Sequence, residues 1–264
     1  MSFSCLDICD IVLYRFSLLD KAGLVHAVTT RHGCGEIPFD LSFVTSDNPR
    51  QVLADRKKLC DALDVPLSSL TVCRQVHGAR VACVDAKILG CGSTNSDTAI
   101  PDCDAMISNE SGAVLMVLSA DCPVTALWDG RNRALGLAHC GWRGIVGGII
   151  GNTIAAMARQ FGTKPDDLIA CCGPSVGLCC YEVGAEVGER FTALFPDDDC
   201  VIGDDSSLRV DLRAVVRAAL LAVGVQSSRI EISDICTRCN AGEFFSYRAE
   251  GNKAGRFAFV AVVP

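Results

Sequence analysis

The chain has 264 residues, 50% hydrophobic and 21% charged, with a formal net charge of −7. That length fits one large domain, or two small ones sharing a core, and the composition supports a sizeable core and excludes a disordered tail. The acidic balance argues against a general nucleic-acid binder, which needs a basic face to displace counterions, while leaving room for a local basic pocket.

The first residues, MSFSCLDICDIVLYRF, lack the basic start and long apolar core of a secretory leader, and Asp7 and Asp10 interrupt them. Residues 24–30 read as a strand ending in the turn-rich loop Arg31-His32-Gly33-Cys34-Gly35. Asp47 followed by Pro49 starts a helix that Val52, Leu53, Leu59 and Leu63 continue on a helical period. Residues 70–75 and 80–85 are two short strands flanking His77-Gly78. Residues 113–119 form an apolar run that predicts a fully buried strand, and 112–120 is too short to cross a bilayer. A strand over 134–138 leads into a helix over 145–161, despite glycines at 144, 147, 148 and 151. Those glycines cost helix stability, so they point to close packing against a neighbour.

A strand over 168–172 and a helix over 183–195 follow. Residues 208–212 read as a strand, and 213–223 as an amphipathic helix stopped by Gly224. Residues 256–263 form the closing strand. Strands and helices alternate loosely, with neither a dinucleotide glycine fingerprint nor a Walker sequence. The expectation is a mixed, layered α/β sandwich rather than a Rossmann fold, one domain over 1–264, soluble and cytoplasmic, with no membrane segment.

In a small secreted chain, 17 cysteines would suggest a disulfide framework. Here the chain is larger and the count odd, so most are expected to be small buried hydrophobes in a reducing cell. The adjacent pairs Cys171-Cys172 and Cys179-Cys180 fit no common zinc or iron–sulfur spacing. Cys236-Thr-Arg-Cys239 has the C-x-x-C form, but one copy without a second pair is a weak signal.

The chemistry concentrates at three strand ends: Gln75-Val76-His77-Gly78, Ser119-Ala120-Asp121-Cys122-Pro123, and Leu137-Ala138-His139-Cys140-Gly141-Trp142-Arg143-Gly144. Residues at strand ends in a layered domain can converge on one crevice. His77, Cys122 and His139 are a good donor set for Zn²⁺, and three protein ligands leave a fourth position for chemistry. Their spacing forms no local zinc motif, and a histidine can equally be a hydrogen-bonded core residue.

These three blocks resemble the signature blocks of the YfiH family, labelled multicopper polyphenol oxidoreductase or laccase-like, and later purine nucleoside phosphorylase. Further blocks agree in order: Thr29-Thr30-Arg31-His32-Gly33, Pro101-Asp102-Cys103-Asp104-Ala105-Met106, the stretch from Cys172-Gly173-Pro174 through Tyr181-Glu182-Val183-Gly184, and Cys236-Thr237 with Phe244-Phe245-Ser246-Tyr247-Arg248 and Gly255-Arg256. The resemblance implies zinc on His77, Cys122 and His139, and a fold akin to the catalytic core of cytotoxic necrotising factor. It also implies phosphorolysis of adenosine, inosine and methylthioadenosine, with adenosine deamination alongside. The chain departs from the family in extra cysteines near the motifs (Cys34, Cys103, Cys140) and in Ala249, where a second arginine is common.

Phosphorolysis needs a held phosphate, and a guanidinium fork suits phosphate oxygens. Arg31, Arg143 and Arg248 are the candidates, each with a structural ion pair or brace as its alternative; Arg143 is also a catalytic candidate, and Gln75 a further substrate or phosphate contact. Asp121 is the candidate proton carrier, or else it orients a ligand histidine. Trp142, Tyr181 and Phe245 can stack on a purine or serve as core. Two other enzymes compete. One is a Cys122–His139 hydrolase or deamidase. The other is a copper oxidase, for which four histidines (26, 32, 77 and 139) are few.

Overall fold

The computed structural model describes residues 3–33, 35, 37–196, 200–204 and 207–264. Cys34, Met1 and Ser2 lie outside the described residues. Two six-stranded mixed sheets carry the fold. The first runs Phe3–Ile8, Ile11–Phe16, His26–Thr29, Phe257–Val262, Val114–Ser119 and Leu70–Val72. The second runs Ile230–Ile232, Leu168–Cys172, Val124–Asp129, Ala134–His139, Ala105–Ser108 and Val81–Cys83. A small antiparallel sheet of Glu182–Val183, Ser207–Val210 and Val201–Asp204 completes the set.

The two large sheets pack face to face. Along Val114–Ser119, Leu115 and Val117 join Phe257 and Phe259 against Trp128, Leu135 and Leu137 of the second sheet. Val114 and Met116 point the other way, with Ala258 and Val260, onto Leu59 and Cys60 of the helix Pro49–Ala62. The outer face of the second sheet, through Leu127, Ala134 and Ala138, is covered by Ile150, Ile154 and Met157 and by Val215, Val216 and Leu220 from two further helices. The order is helix, sheet, sheet, helices. Both faces of the central strands are covered, which is why residues 113–119 read as one apolar run. The layered α/β expectation holds, and no helix among the described residues is long and apolar enough to cross a membrane.

Several boundaries differ from expectation. The helix over 145–161 is two helices, Trp142–Val146 and Ile149–Phe161. Gly148 between them has φ +78, a left-handed conformation that ends the first helix and that glycine adopts without steric cost. Val183 belongs to a short strand, and the helix after it is Ala185–Leu194. Leu212 opens a helix rather than closing a strand, because the Asp211 side chain accepts from the backbone N–H groups of Arg213 and Ala214. The cap of Pro49–Ala62 is Asn48, not Asp47; its side chain accepts from Gln51 N. The hairpin Phe3–Ile8/Ile11–Phe16 and the strands Ala105–Ser108 and Val124–Asp129 were not expected.

Candidate metal centre

The two short strands that flank His77-Gly78, Leu70–Val72 and Val81–Cys83, lie in different sheets. The chain therefore crosses between layers through Arg74–Ala79, and His77 stands in that crossing. Cys122 stands in a second crossing, from Val114–Ser119 in the first sheet to Val124–Asp129 in the second. His139 ends the strand Ala134–His139, and its Cα partner is Val124, two residues after Cys122. Two crossings and one strand end thus meet, and the ligand atoms of His77, Cys122 and His139 all lie within 4.8 Å of one another.

Asp104, which the sequence reading did not single out as a site residue, organises this group. It is fully buried, and its Oδ1 accepts from His139 Nδ1 at 2.9 Å. A carboxylate only accepts, so Nδ1 carries the proton and Nε2 faces Cys122 as the ligand atom. The same carboxylate accepts three successive backbone N–H groups, from Val76 (3.1 Å), His77 (2.9 Å) and Gly78 (2.7 Å). Those bonds hold a turn in which His77 has φ +58, a conformation uncommon for a residue with a Cβ. One side chain therefore fixes two of the three ligands. Its position two residues after Asp102, inside a family block, was the available signal.

Burial opposes charge on both Cys122 and His139, but each offsets that cost for the other. The imidazoles of His139 and His77 pull the Cys122 thiol down to about 6, and the thiolate with Asp104 pushes His139 up to about 9. Cys140 next door has no such partner, and burial drives its thiol upward. The His77 and His139 rings meet edge to face at 4.9 Å. Gly141 lies against them without a side chain: a Cβ there would lie 3.3 Å from Cys122 Sγ, 3.3 Å from His77 and 3.4 Å from His139. Two imidazoles, an acidified thiol and a carboxylate behind one imidazole fit a borderline-soft divalent ion with an open position.

Asp121, the candidate proton carrier or histidine orienter, has both carboxylate oxygens engaged elsewhere. Its Oδ1 accepts from Thr237 Oγ1 and its Oδ2 from Arg248 N, both at 2.6 Å, so its carboxylate braces the segment carrying Arg248; the orienting role belongs to Asp104. Its φ of +97 is held by these bonds and by Val176 N–H donating to its carbonyl. Gln75 is likewise committed: its amide exchanges two hydrogen bonds with the backbone of Leu118. Arg31 donates to Ala241 O, pairs with Glu250 at 3.0 Å and stacks on Phe245. These contacts tie Gln75 and Arg31 into the fold, and Phe245 packs in the core.

Beside the centre lies a cavity of about 710 Å³, lined by Trp142, Tyr181, Arg238 and Arg248 among others. Tyr181 links the two. Burial and the charge of Cys122 push its phenol up to about 12 against the pull of Arg248 and Arg143. Arg248 stacks on the Tyr181 ring at 4.8 Å and Arg143 on Trp142 at 4.4 Å, both exposed to the cavity side or solvent. Arg256 is a further cation near the centre: half-buried, depressed by burial, and within reach of the charges of Cys122 and Asp121.

A family model described as multi-copper polyphenol oxidoreductase laccase matches residues 25–264. A relative named purine nucleoside phosphorylase YlmD, from Geobacillus stearothermophilus, is 34% identical over 248 residues, covering 90% of each chain. Another, named adenosine deaminase RL5, from an unknown prokaryotic organism, is 37% identical over 213 residues, covering 80% of this chain and 81% of that one. The crystal structure of the Bacillus licheniformis hypothetical protein YfiH superposes with a TM-score of 0.92 at 26% identity, covering 99% of both chains. Shared sequence along nearly the whole chain, on a shared fold, makes this chain a member of that family, the YfiH family.

Proposed function

We propose that this protein is a zinc-dependent purine nucleoside phosphorylase acting on adenosine, inosine and methylthioadenosine, with adenosine deaminase activity. The convergence of His77, Cys122 and His139 beside a cavity lined by Trp142, Tyr181 and Arg248 carries the reading. The names of the relatives, purine nucleoside phosphorylase and adenosine deaminase, support it. The cavity is of a size that encloses small-molecule ligands. When bound, zinc supplies Lewis acidity and lowers the pKa of water.

The chain's own residues supply the rest. Asp104 holds His139 in the tautomer that presents Nε2, and Gly141 leaves the space above the ligands open. Trp142 and Tyr181 give aromatic faces to a purine. Arg248, with Arg143, offers guanidinium forks to phosphate. Asp121, through Arg248 N and Thr237, is a positioning residue. Histidines 26 and 32 are outside the metal-binding group, so a multi-copper, histidine-rich site has too few ligands here.

The test is adenosine turnover by zinc-loaded protein with and without phosphate, separating ribose 1-phosphate from inosine. Arg248→Lys keeps the charge and loses the fork, so phosphorolysis should fall by about 1.5–3 kcal/mol, roughly ten- to a hundredfold in kcat/KM. Deamination uses water and should fall less; equal loss of both products would remove Arg248 from the phosphate. The acidified Cys122 beside a charged His139 favours a second reading, a thiolate hydrolase. That reading takes over if zinc-loaded protein forms neither product.

A further inference from the structure

Outside the centre just described, a second group of ligating side chains comes together from segments that looked unrelated in sequence. Cys179 and Cys180 follow the strand Leu168–Cys172 in the loop before Tyr181, and Cys236 and Cys239 follow the strand Ile230–Ile232. Those two strands are parallel neighbours, Ala170 to Cys172 against Ile230 to Ile232, so the loops after them leave the sheet at the same end. A further parallel bridge between Ser175 and Cys236, one residue out of that register, carries the pairing into the loops. All four sulfurs lie within 4.8 Å of one another.

The spacing of the sulfurs is informative. Cys239 Sγ is 3.4 Å from Cys180 Sγ and 3.6 Å from Cys179 Sγ. Zinc–sulfur bonds of about 2.3 Å in a tetrahedron put sulfurs about 3.8 Å apart, whereas a disulfide brings them to about 2.05 Å. Cys236 is buried, and the backbone N–H of Gly177 donates to its sulfur at 3.2 Å. The N–H of Cys239 also donates to it. A backbone N–H aimed at the first sulfur of a C-x-x-C turn stabilises the thiolate that a metal requires.

We propose that Cys179, Cys180, Cys236 and Cys239 form a second, closed metal site that holds one zinc ion through four thiolates. With four protein ligands it has no open position, so its work is structural. It clasps the loop carrying Tyr181 to the turn carrying Arg238, two residues that line the cavity. The inference does not depend on the activity of the first centre.

The test is elemental analysis of full-length protein purified under reducing conditions with zinc supplied. About two zinc ions per chain are expected, one closed and one open in coordination. Cys236→Ser/Cys239→Ser should lose one, and His77→Ala/His139→Ala should lose the other. In case the double serine variant does not fold, cobalt-exchanged wild type and Cys179→Ser give a second readout. The sulfur-to-cobalt charge-transfer band of wild type should report five thiolates, and binding four of them here means roughly four fifths of that intensity belongs to this site. Cys179→Ser should lower it. One zinc in wild type, retained by the serine variants and lost by the histidine variants, overturns this proposal and leaves the first centre standing. Disulfides joining these cysteines in place of metal overturn it as well.

Discussion

His26 and His139 are both buried at the ends of strands, and the two pockets around them do opposite things to an imidazole. At His26 the partners are backbone: Phe16 N–H donates to Nε2 at 2.8 Å, and Nδ1 donates to Leu24 O at 2.9 Å. Both nitrogens are used, the rings of Phe16 and Phe259 pack nearby, and burial lowers the pKa, so the ring is a neutral strut. At His139 one nitrogen meets the Asp104 carboxylate and the other meets Cys122. Burial there works against charge too, but an anion on each side reverses the outcome. The comparison teaches that burial does not distinguish a ligand histidine from a core one; the charge of its partners does.

The sharpest way to break that contrast is to remove the anion. Asp104→Ala strips a buried imidazole and three backbone N–H groups of their acceptor, and should cost about 3–5 kcal/mol in denaturant unfolding. Asp104→Asn keeps the shape, and should weaken zinc binding about ten- to a hundredfold in competition with a chelator. Unchanged zinc affinity in the Asn variant would mean that His139 needs no carboxylate behind it.

The matching change at the other pocket is His26→Ala. It leaves a cavity between Phe16 and Phe259 and two unpaired backbone groups, for a loss of about 3 kcal/mol. Zinc content per folded chain should not change. Loss of metal in this variant would show the two pockets to be one unit.

The smallest effect is in pH. His26 has a lowered folded pKa, so as pH falls through about 6.5 the unfolded chain binds a proton that the folded chain excludes, and stability declines. In metal-free protein His139 works with the other sign: its contribution is full below about 6.5 and is lost as pH rises through about 9. Cys122 contributes above its unfolded value near 8.5, and that contribution is lost as pH falls through about 6. Folding moves one proton from thiol to imidazole, so the pair adds almost no slope between about 6.5 and 8.5. Urea unfolding of metal-free protein should therefore decline toward acid below about pH 6.5, partly through His26 and, near pH 6, partly through Cys122; His26→Gln should remove the first part. A decline that His26→Gln leaves unchanged would show that His26 does not contribute. With zinc loaded, occupancy should fall below about pH 6, as protons compete for the ligands.

Much of the fold could be read from local pattern. The apolar run at 113–119, the helix after Pro49 and the helix before Gly224 follow from periodicity, proline and glycine. The hairpin at the N-terminus could not, because its outer strand is largely exposed and carries no apolar alternation. Nor could the break between Val146 and Ile149, since the glycines there are also compatible with one closely packed helix. Of the 16 described cysteines half are buried, so the expectation of mostly buried thiols holds only in part. At 179, 180, 236 and 239 the C-x-x-C half was legible as a weak signal, but its union with Cys179-Cys180 was not, because that adjacent pair fits no common zinc spacing and meets it only through packing.

The sequence by its residue types and motif blocks offered the donors His77, Cys122 and His139, the last at a strand end and the other two in the segments that follow strands. The tertiary structure decided their neighbours. The crossings between the two sheets bring Asp104, rather than Asp121, behind His139, tie Arg31 and Gln75 into the fold, and lay two cysteine pairs side by side. The reason is one of range: propensity, capping and alternation act over a few residues, whereas which strands become neighbours is set by burying both sheets' faces at once. A carboxylate 35 residues from its histidine, as Asp104 is from His139, acquires its role only through that packing.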